Sequence, residues 1–204
     1  MQILVLANDD DFVELTSLSN EIIWQRADNL NDFLNNTTAA AFFNLMEDAS
    51  EITYLNKTNP IFINSVIDTL TEKKHPANII RFNGWKGFID RRSWELSGQL
   101  NEHHQTVLNK LKIQPILVKD EPGFVSARVI AMIINEGYFA KLEKVSTENE
   151  IDIAMKLGTN YPKGPFEWTR QIGLNNILLL LIKLNKTDTR YSPCPLIELE
   201  LKKQ

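Results

Sequence analysis

Glycine is absent from the first 83 residues of this 204-residue chain, where Gly84 is the first of eight glycines. A loop that wraps a phosphate group at the start of a helix normally depends on glycine, because a Cβ would hold the backbone away from the phosphate. The opening segment QILVLANDDDFVEL instead carries three consecutive carboxylates at 9–11. Carboxylates at a helix start repel phosphate, so the segment is not typical of a phosphate-binding loop.

Cysteine, basic charge and long apolar runs are also scarce. Cys194 is the single cysteine, which excludes an internal disulfide and is typical of a reducing compartment. The net charge is -4 and the basic residues are scattered, so we expect no nucleic-acid partner. The apolar run at 177–182 is far shorter than the ~20 residues of a membrane span. MQILVLAND lacks the basic start of a signal peptide, so we expect a soluble, cytoplasmic protein without a membrane partner.

Short apolar runs alternate with polar segments over the first hundred residues. The runs are QILVLA (2–7), EIIWQ (21–25), AAAFFNLM (39–46), PIFINSVI (60–67) and NIIRFNGW (78–85). Strands interleaved with short helices predict βαβ units and a mainly parallel sheet, and therefore an α/β fold. NEHHQTVLNKLKIQ then predicts a helix, and PILVK predicts a last strand.

The pattern becomes helical from Pro122 to the end of the chain. Segment 125–145 predicts a largely buried helix; its apolar positions are Val125, Val129, Met132, Ile133, Phe139 and Leu142. Ser146 and Thr147 predict the start of the next helix, and Gly158 predicts its end. The change in character predicts two domains, 1–119 and 120–204.

Two motifs in the second domain resemble the C-terminal domain of the 3-hydroxyacyl-CoA dehydrogenases. DEPGFVSAR (120–128) resembles the family pattern D-x-P-G-F-x-x-N-R, and segment 150–174 contains A-M-x-x-G and Y-P-x-G-P-F-E. The resemblance implies an all-α dimerisation domain, in which glycines and prolines at 158–165 form a rigid crossing between helices. It also implies that the first domain is a shortened, Rossmann-like, mainly parallel sheet that lacks the G-x-G-x-x-G loop.

The family's catalytic pair is a histidine and a glutamate twelve residues later. The imidazole takes the proton of the substrate hydroxyl while hydride passes to nicotinamide. Counting back from Glu95 places Asn83 at the position of the histidine. An amide cannot act as a general base near neutral pH, so the resemblance implies that the acid is kept and the base replaced. His75, His103 and His104 lie in polar segments and are predicted to be surface residues.

The resemblance also points to substrate contacts around this pair. The predicted contacts are Asn64, Ser65, Trp85, Ser126, Ala127 and Arg128. Ala127 stands where the family has an asparagine that holds the substrate carbonyl, and 63–66 stands near a family serine. Trp85 either lines an acyl or adenine pocket or packs in the core. NAD is implied by the resemblance alone, and without the glycine loop we predict no conventional cofactor binding.

Three hypotheses remain open. The first is a 3-hydroxyacyl-CoA dehydrogenase-like protein with an impaired site, which binds an acyl-CoA-like ligand or acts through dimerisation. The second is an active oxidoreductase on 3-hydroxyacyl-CoA that holds NAD in an unorthodox way, favoured by the twelve-residue spacing of Asn83 and Glu95. The third is a scaffold whose helices 125–143 and 167–184 bury a homodimer interface.

Overall fold

The computed structural model describes residues 1–47, 49–54 and 57–203. The chain divides into two compact units, Met1–Phe124 and Val125–Gln204. The sequence analysis placed this boundary after residue 119.

The first unit is built on a seven-stranded sheet with the order β2-β1-β3-β4-β5-β6-β7. Its strands are Gln2–Leu6 (β1), Ile23–Arg26 (β2), Ala41–Asn44 (β3), Ile61–Asn64 (β4), Ile79–Phe82 (β5), Ser93–Ser97 (β6) and Gln114–Leu117 (β7). Strands β1 to β5 are parallel, whereas β6 runs antiparallel to β5 and parallel to β7. The predicted α/β class with a mainly parallel sheet is confirmed, although β6 was not predicted.

Helices and loops cover both faces of this sheet. The helices are Asp9–Thr16 (α1), Leu30–Asn35 (α2), Leu70–Lys73 (α3) and Glu102–Leu111 (α4). One face packs against Leu15 of α1 and Leu108 of α4, and the other packs against Phe33 of α2 and Tyr54. Because both faces are buried, β3 and β5 are buried along their whole length. This explains why their sequences are continuous apolar runs rather than alternating ones.

The prediction of surface histidines was wrong for His104. Its side chain is fully buried in α4, edge-on to the ring of Phe62, and its Nε2 lies 3.1 Å from the carbonyl oxygen of Asn78. Burial lowers the pKa of His104, so the neutral ring is favoured. His75 is half-buried, with Nε2 3.0 Å from the carbonyl oxygen of Ser50. The residues beside His104 in the sequence are polar, so the sequence did not show that this side of α4 packs against the sheet.

The second unit is helical throughout its regular structure. Its helices are Ser126–Leu142 (α5), Glu148–Thr159 (α6), Pro165–Ile172 (α7), Leu174–Asn185 (α8) and Pro195–Leu201 (α9). Thr147 starts α6 through a reciprocal capping box with Glu150, as predicted. The predicted stop at Gly158 was wrong, since the helix ends at Thr159 and Asn160 caps it with a left-handed φ of 55°. The predicted helix 167–184 is divided by Gly173, whose φ is 94°.

The buried face of α5 also differs from the prediction. The core residues of the helix include Ala127, Ile130 and Ile134, whereas Val129 is 51% exposed and Leu142 is 42% exposed. The helix is apolar on nearly every side, so the spacing of apolar residues could not identify the side that packs inward. An apolar face therefore remains on the outside of the second unit.

Candidate functional site

An asparagine lies at or directly after the carboxyl end of each of three neighbouring parallel strands. Asn44 ends β3, Asn64 ends β4 and Asn83 follows β5, so all three lie at one edge of the sheet. Asn44 is fully buried; its Nδ2 donates to the Tyr54 hydroxyl at 2.9 Å and its Oδ1 accepts from the N–H of Met46 at 3.0 Å. An asparagine that bonds to backbone two residues later is a common way to turn a chain.

The Asn64 side chain holds the beginning of the next loop. Its Oδ1 accepts from the N–H of Gly84 at 3.1 Å, and its Nδ2 donates to the carbonyl oxygen of Leu45 at 3.4 Å. A Cβ at position 84 would lie 2.7 Å from Asn64 Cγ, so only glycine allows this approach. Ser65 is buried, and its hydroxyl donates to the carbonyl oxygen of Asp68 at 2.7 Å. Both predicted substrate contacts therefore have clear roles in shaping this edge.

Of the predicted pair, Asn83 directly follows β5 and Glu95 lies on the neighbouring strand β6. The antiparallel register of β5 and β6 aligns Arg81 with Ser97 and Phe82 with Leu96. Continued by one residue, the same register aligns Asn83 with Glu95. Asn83 is 4% exposed, its Oδ1 accepts from the N–H of Trp85 at 3.3 Å, and Glu95 is half-buried. An amide in this place can donate and accept hydrogen bonds but cannot take up a proton.

The segment after Asn83 is held by α1 through a carboxylate that the sequence analysis did not single out. Oε1 of Glu14 accepts from the N–H groups of Gly87, Ile89 and Asp90, at 3.0, 3.2 and 3.3 Å. Burial raises the pKa of Glu14, although the backbone donors oppose the shift. Several backbone N–H groups that converge on one point form an anion-binding nest, and this nest is filled by the protein's own carboxylate.

Trp85 and its neighbours pack inward. Trp85 is 6% exposed and Phe88 is 4% exposed, so both belong to the interior of the unit. The guanidinium of Arg91 lies 3.8 Å from the centroid of the Phe88 ring. Nη1 of Arg92 donates to the carbonyl oxygens of Leu18 and Leu111, at 2.9 and 3.0 Å. Arg92 is exposed, but its Nη1 is engaged by these two backbone carbonyl groups.

The start of α1 is the position where a Rossmann fold would place a pyrophosphate. Only two residues separate β1 from α1, and the second, Asn8, caps the helix by accepting from the N–H of Asp11 at 2.9 Å. The first turn carries the aspartates at 9–11, and Lys86 pairs with Asp10 at 2.7 Å. Hydrogen bonding to Lys86 lowers the pKa of Asp10, which favours its charged form.

Arg26, at the end of β2, is engaged in the same way. Its Nη1 lies 2.5 Å from Oδ1 of Asp9, and its Nε and Nη2 donate to the carbonyl oxygen of Ala7 at 3.2 and 2.8 Å. The two cations nearest the helix start, Arg26 and Lys86, are thus both paired with its carboxylates. With no glycine and a negative first turn, the residues present do not fit the pyrophosphate of a dinucleotide.

A buried arginine joins β5 to the first of the two sequence motifs. The side chain of Arg81 is fully buried, and its Nε donates to Oδ1 of Asp120 at 2.6 Å. Its Nη1 donates to the carbonyl oxygen of Ser65 at 3.0 Å, and its Nη2 donates to that of Glu121 at 2.7 Å. The ring of Phe124 stacks on the guanidinium at 4.2 Å. The Asp-x-Pro-Gly-Phe segment is therefore fastened to the sheet of the first unit.

Asp120 extends this contact to α3. Its Oδ2 accepts from the N–H of Thr71 at 2.9 Å and its Oδ1 accepts from the N–H of Leu70 at 3.2 Å. Burial alone would raise the pKa of Asp120, but the hydrogen bonds from Thr71 and Arg81 bring it below its usual value. The hydrogen bonds of Asp120 therefore account for the first aspartate of the motif by a structural role.

The second motif fixes the start of α7 in the helical unit. Asp152 is 3% exposed; its Oδ1 accepts from the N–H of Phe166 at 2.8 Å and its Oδ2 accepts from Nη2 of Arg170 at 3.1 Å. A Cβ on Gly164 would lie 2.3 Å from Asp152 Oδ1 and 2.4 Å from its Cα. Glycine at this position lets α6 and α7 approach, and the carboxylate then satisfies an N–H at the start of α7.

The remaining predicted site residues begin α5 in the second unit. Ser126 is the first residue of the helix, Ala127 is fully buried, and the guanidinium of Arg128 lies 5.8 Å from the ring centroid of Tyr191. The sequence analysis also missed Asn135, which accepts from the N–H of Cys194 at 2.7 Å and is buried in this unit. These contacts describe the packing of the helix, and the predicted substrate role of its first turn stays a prediction.

In residues 1–47, 49–54 and 57–203, no helix combines the length and apolar character that a membrane crossing requires. The same ranges contain no group of three or more histidine, cysteine, aspartate or glutamate residues placed to hold a metal ion.

The fold and the site place the chain among proteins that join a Rossmann-type sheet to a helical C-terminal domain. The solved structure of FadB2 from Mycobacterium tuberculosis superposes with a TM-score of 0.78 at 13% identity, covering 98% of this chain and 93% of that one. The (S)-3-hydroxybutyryl-CoA dehydrogenase PaaH1 from Ralstonia eutropha superposes with a TM-score of 0.74 at 17% identity, covering 99% and 93%. At these identities the likeness establishes the fold.

The sequence of the second unit matches a known domain family. Residues 123–204 match the family described as "3-hydroxyacyl-CoA dehydrogenase, C-terminal domain". The 3-hydroxyadipyl-CoA dehydrogenase of Escherichia coli is 45% identical over 82 residues, which are 39% of this chain and 17% of that protein. A 3-hydroxybutyryl-CoA dehydrogenase of Clostridioides difficile is 30% identical over 166 residues, 76% of this chain and 58% of that protein.

The match over residues 123–204 confirms the resemblance that the two motifs show to the C-terminal domain of the 3-hydroxyacyl-CoA dehydrogenases. The chain covers well under two thirds of these relatives, from 17% of the Escherichia coli enzyme to 58% of the Clostridioides difficile one.

Proposed function

We propose that this protein is a 3-hydroxyacyl-CoA dehydrogenase-type protein that binds an acyl-CoA-like ligand and does not carry out NAD-linked oxidation. The observation that carries the proposal is the start of α1, where carboxylates paired with Arg26 and Lys86 take the place of a glycine loop. Support for the ligand class comes from the relatives, which are named as dehydrogenases of 3-hydroxyadipyl-CoA and 3-hydroxybutyryl-CoA.

The state of the catalytic pair agrees with this proposal. Oxidation of a 3-hydroxyl group requires a base that removes the hydroxyl proton as hydride leaves the adjacent carbon. Directly after β5 this chain has the amide of Asn83 where the resemblance implies a histidine, and Glu95 lies on the neighbouring strand β6. The pair can position a substrate by hydrogen bonding, but the amide has no basic nitrogen.

Ligand-induced stabilisation tests the proposal directly. Acetoacetyl-CoA is expected to raise the melting temperature of the full chain, whereas NADH and NAD are expected to leave it unchanged. A ligand present at 100 times its Kd raises the free energy of unfolding by about 2.7 kcal/mol, which a thermal melt readily detects. Free coenzyme A is the control for binding through the nucleotide part alone. Stabilisation by NADH would show that the proposal is wrong.

Restoring a histidine at position 83 is expected to produce no dehydrogenase activity. Asn83→His, alone or with Ala127→Asn, supplies the polar groups that the family resemblance implies at these positions, but it leaves the carboxylates at the start of α1 in place. We therefore expect no acetoacetyl-CoA-dependent oxidation of NADH, followed by NADH absorbance, from either variant. The melting temperature of each variant provides the control for folding. NADH oxidation by a folded variant would show that the cofactor does bind and that the base was the limiting defect.

A second candidate function is an active oxidoreductase that holds its cofactor in an unorthodox way. The twelve-residue spacing of Asn83 and Glu95 favours it, together with their places directly after β5 and on the neighbouring strand β6. In this case NADH would both stabilise the unmodified protein and be oxidised by it. The same melting and absorbance measurements therefore separate the two functions.

We further propose that the second unit pairs with the second unit of another copy. Large apolar side chains remain exposed on its longest helices: Val129 on α5 is 51% exposed, and Ile153 and Leu157 on α6 are 44% and 83% exposed. Exposed apolar surface of this kind marks interaction sites, and two-fold pairing is the commonest way for a soluble chain to cover it.

Sedimentation equilibrium tests this pairing. The unmodified chain is expected to have the mass of a dimer, and Val129→Asp or Leu157→Asp is expected to reduce it to that of a monomer, because each places a charge in an apolar contact. Val13→Asp is the matched control, since Val13 is 66% exposed on α1 of the first unit. A monomeric unmodified chain, or a dimer in both variants, would contradict the proposed surface.

A further inference from the structure

Segment 84–92 joins β5 to β6 and contains no helix or strand of its own. Four of its residues are nevertheless buried, namely Gly84, Trp85, Phe88 and Ile89. Backbone N–H groups in such a segment have no partner in a sheet ladder or a helix turn, and buried N–H groups require an acceptor. The groups that accept from this segment therefore determine which conformation it adopts.

Glu14 on α1 is the acceptor for three of these N–H groups. Its Oε1 lies 3.0 Å from the nitrogen of Gly87, 3.2 Å from that of Ile89 and 3.3 Å from that of Asp90. Gly87 has a left-handed φ of 82°, and backbone of alternating hand turns neighbouring N–H groups towards one point. Hydrogen bonds to an ionised carboxylate are roughly twice as strong as those between neutral groups. Glu14 is thus the anion of the nest at 87–90.

A short series of hydrogen bonds connects the nest to the side chain of Asn83. The N–H of Phe88, the residue after Gly87, donates to the carbonyl oxygen of Trp85 at 2.9 Å. The N–H of Trp85 in turn donates to Oδ1 of Asn83 at 3.3 Å. A shift of the nest therefore changes the place of the N–H group that the Asn83 amide accepts from.

The nest is also connected to the strand that carries Glu95. Nε1 of Trp94, the residue before Glu95, donates to the carbonyl oxygen of Ile89 at 3.0 Å, and both Trp94 and Ile89 are buried. One side chain on α1 thus holds a segment that contacts both members of the polar pair.

The charged side chains around Glu14 have both signs. Lys86 and Arg91 attract its carboxylate, whereas Asp11 and Asp90 repel it. These contributions oppose one another, so the converging N–H groups are the feature that selects an anion at this point.

We propose that Glu14 is a positioning residue, whose carboxylate fills the nest at 87–90 and thereby holds the Asn83 amide in the orientation that receives a ligand. The role of Asn83 in ligand binding rests on the proposed function, whereas the hold of Glu14 on the segment does not. Any small carboxylate that reaches the empty nest should therefore replace the side chain of Glu14.

Chemical rescue of Glu14→Ala tests the hold on the segment in the full chain. The substitution removes a group of the shape of acetate and leaves the N–H groups of the nest without their acceptor. Amide exchange of Gly87 and Ile89, measured by NMR, is expected to become about tenfold faster or more. Acetate is expected to restore slow exchange, whereas acetamide and chloride at the same concentration are not. Unchanged exchange in the variant, or equal restoration by acetamide, would overturn the proposal.

Two further variants show whether acetate acts in the nest. Glu14→Gln keeps the shape of the side chain but not its charge, so we expect faster exchange that acetate does not slow, because the nest is still filled. Glu198→Ala removes an exposed carboxylate from α9 and is expected to leave the exchange of Gly87 and Ile89 unchanged with or without acetate. An effect of acetate on the segment in either variant would contradict binding in the nest.

Titration with acetoacetyl-CoA measures the consequence for the ligand. Glu14→Ala is expected to bind about fivefold more weakly or less, since a smaller fraction of the chain has the binding conformation, and acetate is expected to restore the affinity. Equal affinity of this variant and the unmodified chain would show that Glu14 does not position Asn83, although the proposed function would stand. If the unmodified chain does not bind acetoacetyl-CoA, the proposed function is wrong, and the exchange rates alone decide whether Glu14 holds the segment.

Discussion

Replacing Arg81 by alanine is expected to lower the free energy of unfolding by about 3–5 kcal/mol, as the loss of one member of a buried ion pair usually does. The guanidinium is fully buried and satisfies Asp120 together with the carbonyl oxygens of Ser65 and Glu121. Without it, a carboxylate and two carbonyl groups lose their partners in a poorly solvated place, which costs more than the pair itself contributes.

Urea denaturation followed by tryptophan fluorescence measures this change, because Trp85 and Trp94 are buried in the same unit. Arg91→Ala is the matched control: Arg91 is exposed and stacks on Phe88, and we expect its removal to cost less than about 1 kcal/mol. If Arg81→Ala were no more destabilising than Arg91→Ala, Asp120 would not depend on its buried partner.

A double-mutant cycle separates the charge pair from the packing. Arg81→Met keeps most of the apolar stem, and Asp120→Asn removes the opposite charge while keeping an oxygen that can accept from Thr71. The two losses are expected to be less than additive, since the second substitution removes the charge that the first leaves unpaired. Strict additivity would show that the two side chains stabilise the unit independently.

The same contact predicts part of the acid sensitivity of the protein. The pKa of Asp120 in the folded chain is below its ordinary value of 3.8. A lowered folded pKa contributes stability that is fully present above the ordinary value and is lost as pH falls through the lowered one. Stability measured below about pH 4 should therefore decline less steeply in Asp120→Asn than in the unmodified chain.

Replacing Gly164 by alanine is expected to destabilise the helical unit by about 3 kcal/mol, the upper end of what overpacking usually costs. The added Cβ would lie 2.4 Å from the Cα of Asp152, so the backbone of α6 itself must move. That movement also disturbs the carboxylate that accepts from the N–H of Phe166 and from Arg170. Backbone cannot rotate away from the clash as a flexible side chain can.

Gly158→Ala, on α6, is a matched control from the same unit. A Cβ at position 158 would meet nothing within 4 Å, and the residue lies inside α6. Because glycine weakens a helix interior by roughly 0.5–1 kcal/mol relative to alanine, this substitution is expected to stabilise. Circular dichroism at increasing urea concentration reports both changes. If Gly164→Ala did not lower the free energy of unfolding relative to Gly158→Ala, the close approach to Asp152 would not require glycine.

The sequence predicted the buried parallel strands of the sheet but did not predict strand β6. Strands β1, β3, β4 and β5 are buried on both faces, so each appears as an apolar run between polar segments. Strand β6 contains Ser93, Glu95 and Ser97 and pairs antiparallel to β5. Its mixed sequence does not stand out from a loop, because the strand forms by pairing with β5 (Arg81 with Ser97, Phe82 with Leu96) and not through its own composition.

The candidate site could be predicted where a family motif marks it, but not where the contacts join residues that are distant in the sequence. Asn83 and Glu95 were predicted through the family resemblance, and the structure places Asn83 directly after β5 and Glu95 on the neighbouring strand β6. Glu14 was missed although it holds the loop after Asn83, because its partners are the backbone N–H groups at 87–90, some seventy residues later. Backbone donors leave no signal in a sequence, so such a carboxylate resembles any other on a helix surface.

The paired charges at the start of α1 limit how the site can be re-engineered. Asp9 and Asp10 each hold a cation, Arg26 and Lys86, that lies on a different segment of the unit. Replacing one of the carboxylates leaves its cation unpaired but does not create a phosphate site. A variant with a single substitution is therefore not expected to bind a dinucleotide better than the unmodified chain. A route to a dinucleotide-binding variant must therefore change the loop and both partners together, and stepwise selection on single substitutions will stall at the first step.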